Sequence, residues 1–298
     1  MRRGRFTRGL RRVAFALTGA FALVALVPGA AVAASFGTLS YPVRGPVNAR
    51  VDRATTVSSA CPAGSHVLGG GQYVFAATND SIVHSSAPFD GADRDAIPDD
   101  GWRSRIDSFN GAHNTLTEYA ICSTKQPVYR AKSVTLHAPG QPLLRSQCPA
   151  SDSVLGGGVY IGPGYSSAYI TSSDPAEGAS WEGHAVAGLA GVPSQEVTDW
   201  AICAPVQPIY RRAYSLAPHS DFGEAAASCP AGTRVVGGGV RTPDFGPNGQ
   251  EDDVRPTISS PYDGPDANFV PDNGWQIEAD NWNALYDFWI SATAICLG

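Results

Sequence analysis

In the segment from Trp275 to Asp280, apolar and polar residues alternate. Trp275, Ile277 and Ala279 fall on one side, and Gln276, Glu278 and Asp280 on the other. That is the period of a half-buried β-strand. From Thr117 to Cys122 the alternation sets Thr117, Tyr119 and Ile121 against Glu118, Ala120 and Cys122. Its end is apolar on both sides, which predicts a strand running into the interior. No long stretch carries a helical period. The pattern predicts an all-β protein of many short strands.

The N-terminus reads differently. Val13 to Val27 is an apolar run of 15 residues, preceded by Arg2, Arg3, Arg5, Arg8, Arg11 and Arg12 and followed by Pro28-Gly29 and Ala31-Val32-Ala33. A basic start, a short apolar run and a small-residue cleavage box predict a secretory signal peptide over residues 1–33. The run is short for a membrane span, so a cleaved leader is preferred to an anchor. No membrane span is then expected in the mature chain, and the protein is expected to be extracellular.

One stretch occurs three times. Cys61-Pro62-Ala63-Gly64 leads into Gly69-Gly70-Gly71, Cys148-Pro149-Ala150 into Gly156-Gly157-Gly158, and Cys229-Pro230-Ala231-Gly232 into Gly237-Gly238-Gly239. Each copy is answered downstream by Ala-Ile-Cys, ending at Cys122, Cys203 and Cys296. Between them lie a pair of serines (Ser85-Ser86, Ser172-Ser173, Ser259-Ser260) and a Trp-led strand (Trp102, Trp181, Trp275). An internal repeat of this length predicts one supersecondary unit used three times, with units at 34–126, 127–207 and 208–298. The recurring tryptophans are expected in the core. On this alignment His84 is matched by Thr171 and Ile258. Glycines within a strand mark a bulge or a close backbone approach. A phosphate cradle is not supported, because Gln72-Tyr73-Val74-Phe75 follows the glycines in place of Lys-Ser or Lys-Thr and a helix.

Six cysteines in an exported chain predict disulfides. Two pairings respect the repeat. One is Cys61–Cys122, Cys148–Cys203 and Cys229–Cys296, within units. The other is Cys122–Cys148, Cys203–Cys229 and Cys61–Cys296, between units. The first is favoured because each unit then carries its own staple. No C-x-x-C, H-E-x-x-H or C-x-x-C-H motif occurs, so neither a metal nor another cofactor is expected. Of the 21 basic residues, six lie in residues 1–33, while all 27 acidic residues lie beyond them. Residues 34–298 therefore carry 15 basic and 27 acidic residues, a net charge of −12. Nucleic acid and anionic membrane both need a basic footprint, so neither is expected as a partner.

The combined C-P-A-G…G-G-G…A-I-C pattern resembles repeats in secreted actinomycete proteins whose function is unassigned. Its Cys-Pro-x-Gly openings and closing cysteines also resemble, more distantly, the vitelline membrane outer layer family. That resemblance implies a three-sided β-prism with pseudo-threefold symmetry, although the family has Gly-Phe where this chain has Gly-Gly-Gly. The expectation is thus three disulfide-stapled β units closed as a prism, with three tandem small β domains as the alternative.

Candidate chemistry lies where the repeats differ. The first variable loop holds Asp90, Asp93, Asp95, Asp99 and Asp100; the third holds Asp244, Glu251, Asp252, Asp253, Asp263, Asp266 and Asp272. These carboxylates suit solvated turns better than calcium, since no EF-hand spacing is present. No catalytic residue is assigned: there is no G-x-S-x-G elbow, and the paired serines recur in every unit. Trp282, Tyr286 and Trp289 have no counterpart in the other units, and Tyr165 and Tyr169 are likewise local. Aromatics beside Asp and Asn hold sugar rings by stacking and hydrogen bonds. These five are the candidate ligand-binding residues, set against the reading that Tyr286 and Trp289 fill the core. The expected function is a non-catalytic structural or binding protein directed at an extracellular glycan or the cell envelope. A polysaccharide hydrolase using loop carboxylates is the alternative.

Overall fold

The computed structural model describes residues 35–50, 53–75, 81–91, 93, 95–108, 114–137, 140–162, 168–176, 179–187, 194–243, 254–266, 268–282 and 286–298. The expected signal peptide lies outside the described residues. The first unit contributes β1 (Leu39–Ser40), β2 (Val43–Asn48), β3 (Ala54–Ala60), β4 (His66–Phe75), β5 (Ser81–Phe89), β6 (Gly101–Ser108) and β7 (Thr115–Ser123). The second contributes β8 (Val128–Leu136), β9 (Leu143–Gln147), β10 (Ser153–Ile161), β11 (Ala168–Ala176), β12 (Ser180–Ala187) and β13 (Gln195–Ala204). From the third come β14 (Ile209–Ala217), β15 (Phe222–Ser228), β16 (Arg234–Arg241), β17 (Val254–Tyr262), β18 (Gly274–Asn281) and β19 (Phe288–Leu297). Among the described residues there is no helix, and the three-unit all-β reading is confirmed.

The units are not separate beads. Sheet I has the order β1-β7-β4-β17-β18-β15 with β2 also on β7, sheet II β3-β6-β5-β10-β13-β8, and sheet III β14-β19-β16-β11-β12-β9. Every unit is therefore split. Its lead-in, glycine-bearing and closing strands enter one sheet, and its other three strands enter the next. The joints between units fall at Ser86 opposite Val159, Ser173 opposite Val240, and Ser259 opposite Gln72. Unit 1 joins unit 2, unit 2 joins unit 3, and unit 3 returns to unit 1. This ring replaces the tandem alternative.

The glycines make the ring possible. Register shifts place bulges at Leu68, Leu155 and Val236, and these three side chains are fully buried in one apolar cluster. A Cβ on the first glycine of each triplet would press on the carbonyl of the preceding unit's bulge residue: Gly69 on Val236, Gly156 on Leu68, Gly237 on Leu155. A Cβ on the second would enter the ring of Trp102, Trp181 or Trp275, and one on the third would meet the carbonyl of Ser259, Ser86 or Ser173. Close approach at a threefold axis is thus what excludes side chains here.

The three recurring tryptophans, Trp102, Trp181 and Trp275, are buried at 0–1% exposure. Each donates its indole N–H to a serine hydroxyl: Trp102 to Ser86 at 2.9 Å, Trp181 to Ser173 at 2.9 Å, and Trp275 to Ser259 at 3.0 Å. That geometry corrects the sequence alignment by one residue. Ser259 is the counterpart of Ser86 and Ser173, while Ser260 occupies the place of Ala87 and Asp174. Thr257 is skipped by a bulge, as His84 and Thr171 are, so His84 is matched by Thr257 and not by Ile258.

The disulfides pair within units: Cys61–Cys122, Cys148–Cys203 and Cys229–Cys296. In each, the first cysteine follows a strand of one sheet and the second lies in a closing strand of another. The three bonds therefore tie sheet II to I, III to II, and I to III. With sequence separations of 61, 55 and 67 residues, each contributes about 4 kcal/mol on the chain-entropy account. A tyrosine from each lead-in adds a second tie. Tyr41 donates to the Val235 carbonyl at 2.9 Å, Tyr129 to Val67 at 2.7 Å, and Tyr210 to Val154 at 2.9 Å. Each bond reaches from one unit to another. Burial pushes all three phenols up, Tyr210 to about 12.

Candidate functional site: three grooves on one scaffold

The axis offers no ligand site. The cavity between the second glycines, the three serines and Trp102 is about 20 Å³, room for about one water. Larger concavities lie on the sheet faces, one per sheet, built from equivalent positions. Sheet II carries a groove of about 580 Å³, sheet III one of about 530 Å³ and sheet I one of about 330 Å³. All three fall within the range of small-molecule sites.

Their chemistry differs. On sheet II, β6 presents Arg103 and Arg105, β5 presents Phe89, β10 presents Tyr160 and β13 presents Trp200. Asp90, Ala96 and Pro98 of the following loop form one wall. The Arg103 guanidinium lies 4.3 Å from the centroid of Phe89 and donates from Nε to Ser58 at 3.0 Å. Trp200 pairs with Gly158 across the β10–β13 ladder, two residues from Tyr160, so both aromatics stand on one face. Tyr160 is 40% exposed.

On sheet III the equivalent groove neutralises itself. Arg145 and Arg241 hold Glu182 at 2.5 and 3.2 Å, and Arg212 holds Asp174 at 2.5 Å. Asp174 is buried, which pushes its carboxyl up to about 6 against the pull of Arg212. Sheet I places Glu224 of β15 directly opposite Glu278 of β18, beside Tyr73 and Gln276. Burial and, more weakly, the charge of Glu224 push the Glu278 carboxyl up, while a 2.8 Å hydrogen bond from Thr257 pulls it down.

The sequence candidates are distributed otherwise. Trp282, Tyr286 and Trp289 are exposed by 51%, 45% and 66%, so Tyr286 and Trp289 are surface residues and do not fill the core. Tyr169 is buried at 7%. It meets Trp282 through Arg255, whose guanidinium lies 5.0 Å from the Tyr169 centroid and 5.3 Å from that of Trp282. Trp289 belongs to sheet III, opposite Leu216. Tyr165 lies outside the described residues. Of the sheet II groove, Asp90 is legible as a loop carboxylate, whereas Phe89, Arg103, Arg105, Tyr160 and Trp200 sit at strand positions that a comparison of the variable loops does not single out. The signal was Trp200, which directly precedes Ala201-Ile202-Cys203 where the other units have Tyr119 and Thr293.

The acidic loops are turns. Asp93 accepts the Asp95 N–H at 3.1 Å, Asp95 that of Ile97 at 2.8 Å, and Asp100 that of Gly91 at 2.5 Å. In the third unit Asp266, Asn268 and Asn273 accept from Asn268, Val270 and Gly264. Amides thus do the work of two of the aspartates, so the turn does not depend on charge. Oxygens of Asp90, Asp93 and Asp100 lie within 4.8 Å of one another, as do those of Asp93, Asp95 and Asp99. His66 binds Asp99 at 2.5 Å and Arg234 binds Asp272 at 3.2 Å in the matching place. Asp244, Glu251, Asp252 and Asp253 lie outside the described residues. Buried His84 binds the Ala168 carbonyl and lies 3.0 Å from Asp107, and His184 bonds Thr171 at 3.0 Å.

No protein-family model matches the chain, and no curated protein matches it either. Three disulfides suit an oxidising compartment. No helix among the described residues is long and apolar enough to cross a membrane.

Proposed function

We propose that the protein is a secreted, non-catalytic binding module that uses the sheet II groove to hold an extracellular or cell-envelope glycan. The observation that carries this reading is the juxtaposition of Tyr160 and Trp200 with Phe89 and the polar groups of Arg103 and Arg105 in one open groove. Flat apolar faces stack on sugar rings, and the guanidinium groups donate to hydroxyls and other oxygens. The three-sided scaffold supplies rigidity. The test is a glycan-array screen of the disulfide-bonded protein, repeated with Tyr160→Ala, Trp200→Ala and Trp282→Ala. Selective binding lost with Trp200→Ala supports the groove. Loss confined to Trp282→Ala moves the site to the Tyr169–Arg255–Trp282 stack, and no binding by folded protein removes the glycan reading.

The second reading, a polysaccharide hydrolase, draws on Glu224 and Glu278 rather than on the loops. Two carboxylates in one groove, one with a raised pKa, fit the general-acid requirement of glycoside hydrolysis. Release of reducing ends from a polysaccharide panel, abolished by Glu278→Gln, would put this reading first.

A further inference from the structure

The three grooves are internal controls on one another. They occupy equivalent positions on the same scaffold, so a residue that the fold itself requires should recur in all three. The arginines of sheet II do not recur. Arg103 has Glu182 and Gln276 as counterparts, and Arg105 has His184 and Glu278. Trp200 is answered by Tyr119 and Thr293. Sheet II alone combines two arginines with three aromatic side chains. Asp90 is the one carboxylate that lines it among the described residues.

Arg103 is also placed for a ligand. Phe89 lies under its guanidinium and Ser58 accepts its Nε–H, which fixes the plane of the group. Its described contacts include no carboxylate, in contrast to Arg145, Arg212 and Arg241 of sheet III, each held by Glu182 or Asp174. A planar guanidinium held by stacking presents its remaining N–H donors as a fork suited to a carboxylate or phosphate. The surrounding chain carries a large excess of acid, so a positive groove is a local exception to the general charge.

We propose that the sheet II groove selects an acidic sugar, its anionic group held by Arg103 and Arg105 and its ring laid on Tyr160 and Trp200. This rests on the binding-module reading and adds the ligand class. The anion is a uronate carboxylate or a sugar phosphate, which the experiment separates.

The purified, disulfide-bonded protein is tested by calorimetry and pull-down. The probes are polymers of galacturonic, glucuronic and mannuronic acid, the same polymers with their carboxylates methyl-esterified, a phosphomannan, and neutral galactan and glucan. The variants are Arg103→Gln, Arg105→Gln and Trp200→Ala. Gln276 already stands at the position of Arg103 in sheet I, so Arg103→Gln should fold, and an unchanged melting temperature verifies it. The expected result is binding to an acidic polymer that weakens at least tenfold on esterification, on either arginine substitution, and on raising salt to 1 M. Preference for phosphomannan over all uronates assigns the anion as phosphate. Equal binding of esterified or neutral polymers, unaffected by the arginine substitutions but lost in Trp200→Ala, overturns the acidic-sugar inference and leaves the binding module standing. No binding to any polymer by folded protein overturns both.

Discussion

Glu118 shows what it costs a single residue to follow the pattern. Alternation sets it on the side of β7 that carries Leu116, Ala120 and Cys122, and it is fully buried with them. One oxygen accepts the Ser104 hydroxyl at 3.0 Å, and the other has no hydrogen-bond partner. Burial therefore pushes its carboxyl well above the ordinary glutamate value of 4.5, with Ser104 pulling weakly the other way. The folded state binds a proton that the unfolded state releases, so stability falls as pH rises above 4.5 towards the folded pKa. Glu118→Gln keeps the acceptor for Ser104 and carries no charge. The expected outcome is a melting temperature near that of the parent at pH 4 and increasingly above it by pH 8. Parallel melting curves from pH 4 to 9 would show that Glu118 is ionised at little cost. The glycines make a related point at the same scale. Gly64 and Gly232 have positive φ with nothing within 4 Å of an added Cβ, whereas Gly157 is closed in by Trp181 and the Trp200 carbonyl. One residue type thus serves turn conformation in one place and packing in another.

Elements were legible where one rule governs them. A period of two marks a strand and its faces, and the buried Trp275, Ile277 and Ala279 follow it. It names no neighbour, so the splitting of each unit between two sheets could not be read from it. The serine register failed for a related reason. All three units carry the same bulge, but Ile258 stands where the others have Ser85 and Ser172 and Ser260 where they have Ala87 and Asp174, so Ser259-Ser260 imitates a pair that belongs one place earlier. Tyr169 and Trp282 meet through Arg255, across two units, which no local pattern encodes. Pairing also determines the cost of the Glu224–Glu278 contact. Like charges directly opposite on neighbouring strands disfavour the sheet by a few tenths to about 1 kcal/mol. Glu224→Gln removes the like-charge repulsion, which adds to the larger effect of burial in raising Glu278. The variant should be more stable than the parent by about 0.5 kcal/mol at pH 7 and equal to it at pH 3, where both carboxyls are protonated. Urea midpoints at the two pH values measure this, and an equal gain at both would assign the effect to packing rather than charge.

At the scale of the whole molecule, the sequence repeat and the folding unit are different things. Three similar stretches, each closed by its own disulfide, suggest three domains that unfold one by one. The sheets contradict this, since each is completed by strands of two units. The three tyrosines cross the same boundaries, and Tyr41 ties the start of the described chain to Val235 in the third unit. An isolated unit would expose the carbonyls and ladder edges that its neighbours cover, and its glycine strand would lose the surface that excludes a side chain. Unpaired backbone groups of that kind are costly. The expected thermal transition is therefore single, with a calorimetric enthalpy equal to the van't Hoff enthalpy. Replacing Cys61 and Cys122 together by Ala should lower the stability of the entire molecule by about 4 kcal/mol while leaving one transition. Residues 127–207 expressed alone should show no cooperative melting. Separate domains give the opposite result: two or more transitions in the cysteine variant, only one of them displaced, and a second unit that melts cooperatively by itself. The calorimetric trace of the double cysteine variant decides between a ring that stands or falls together and three stapled units in a row.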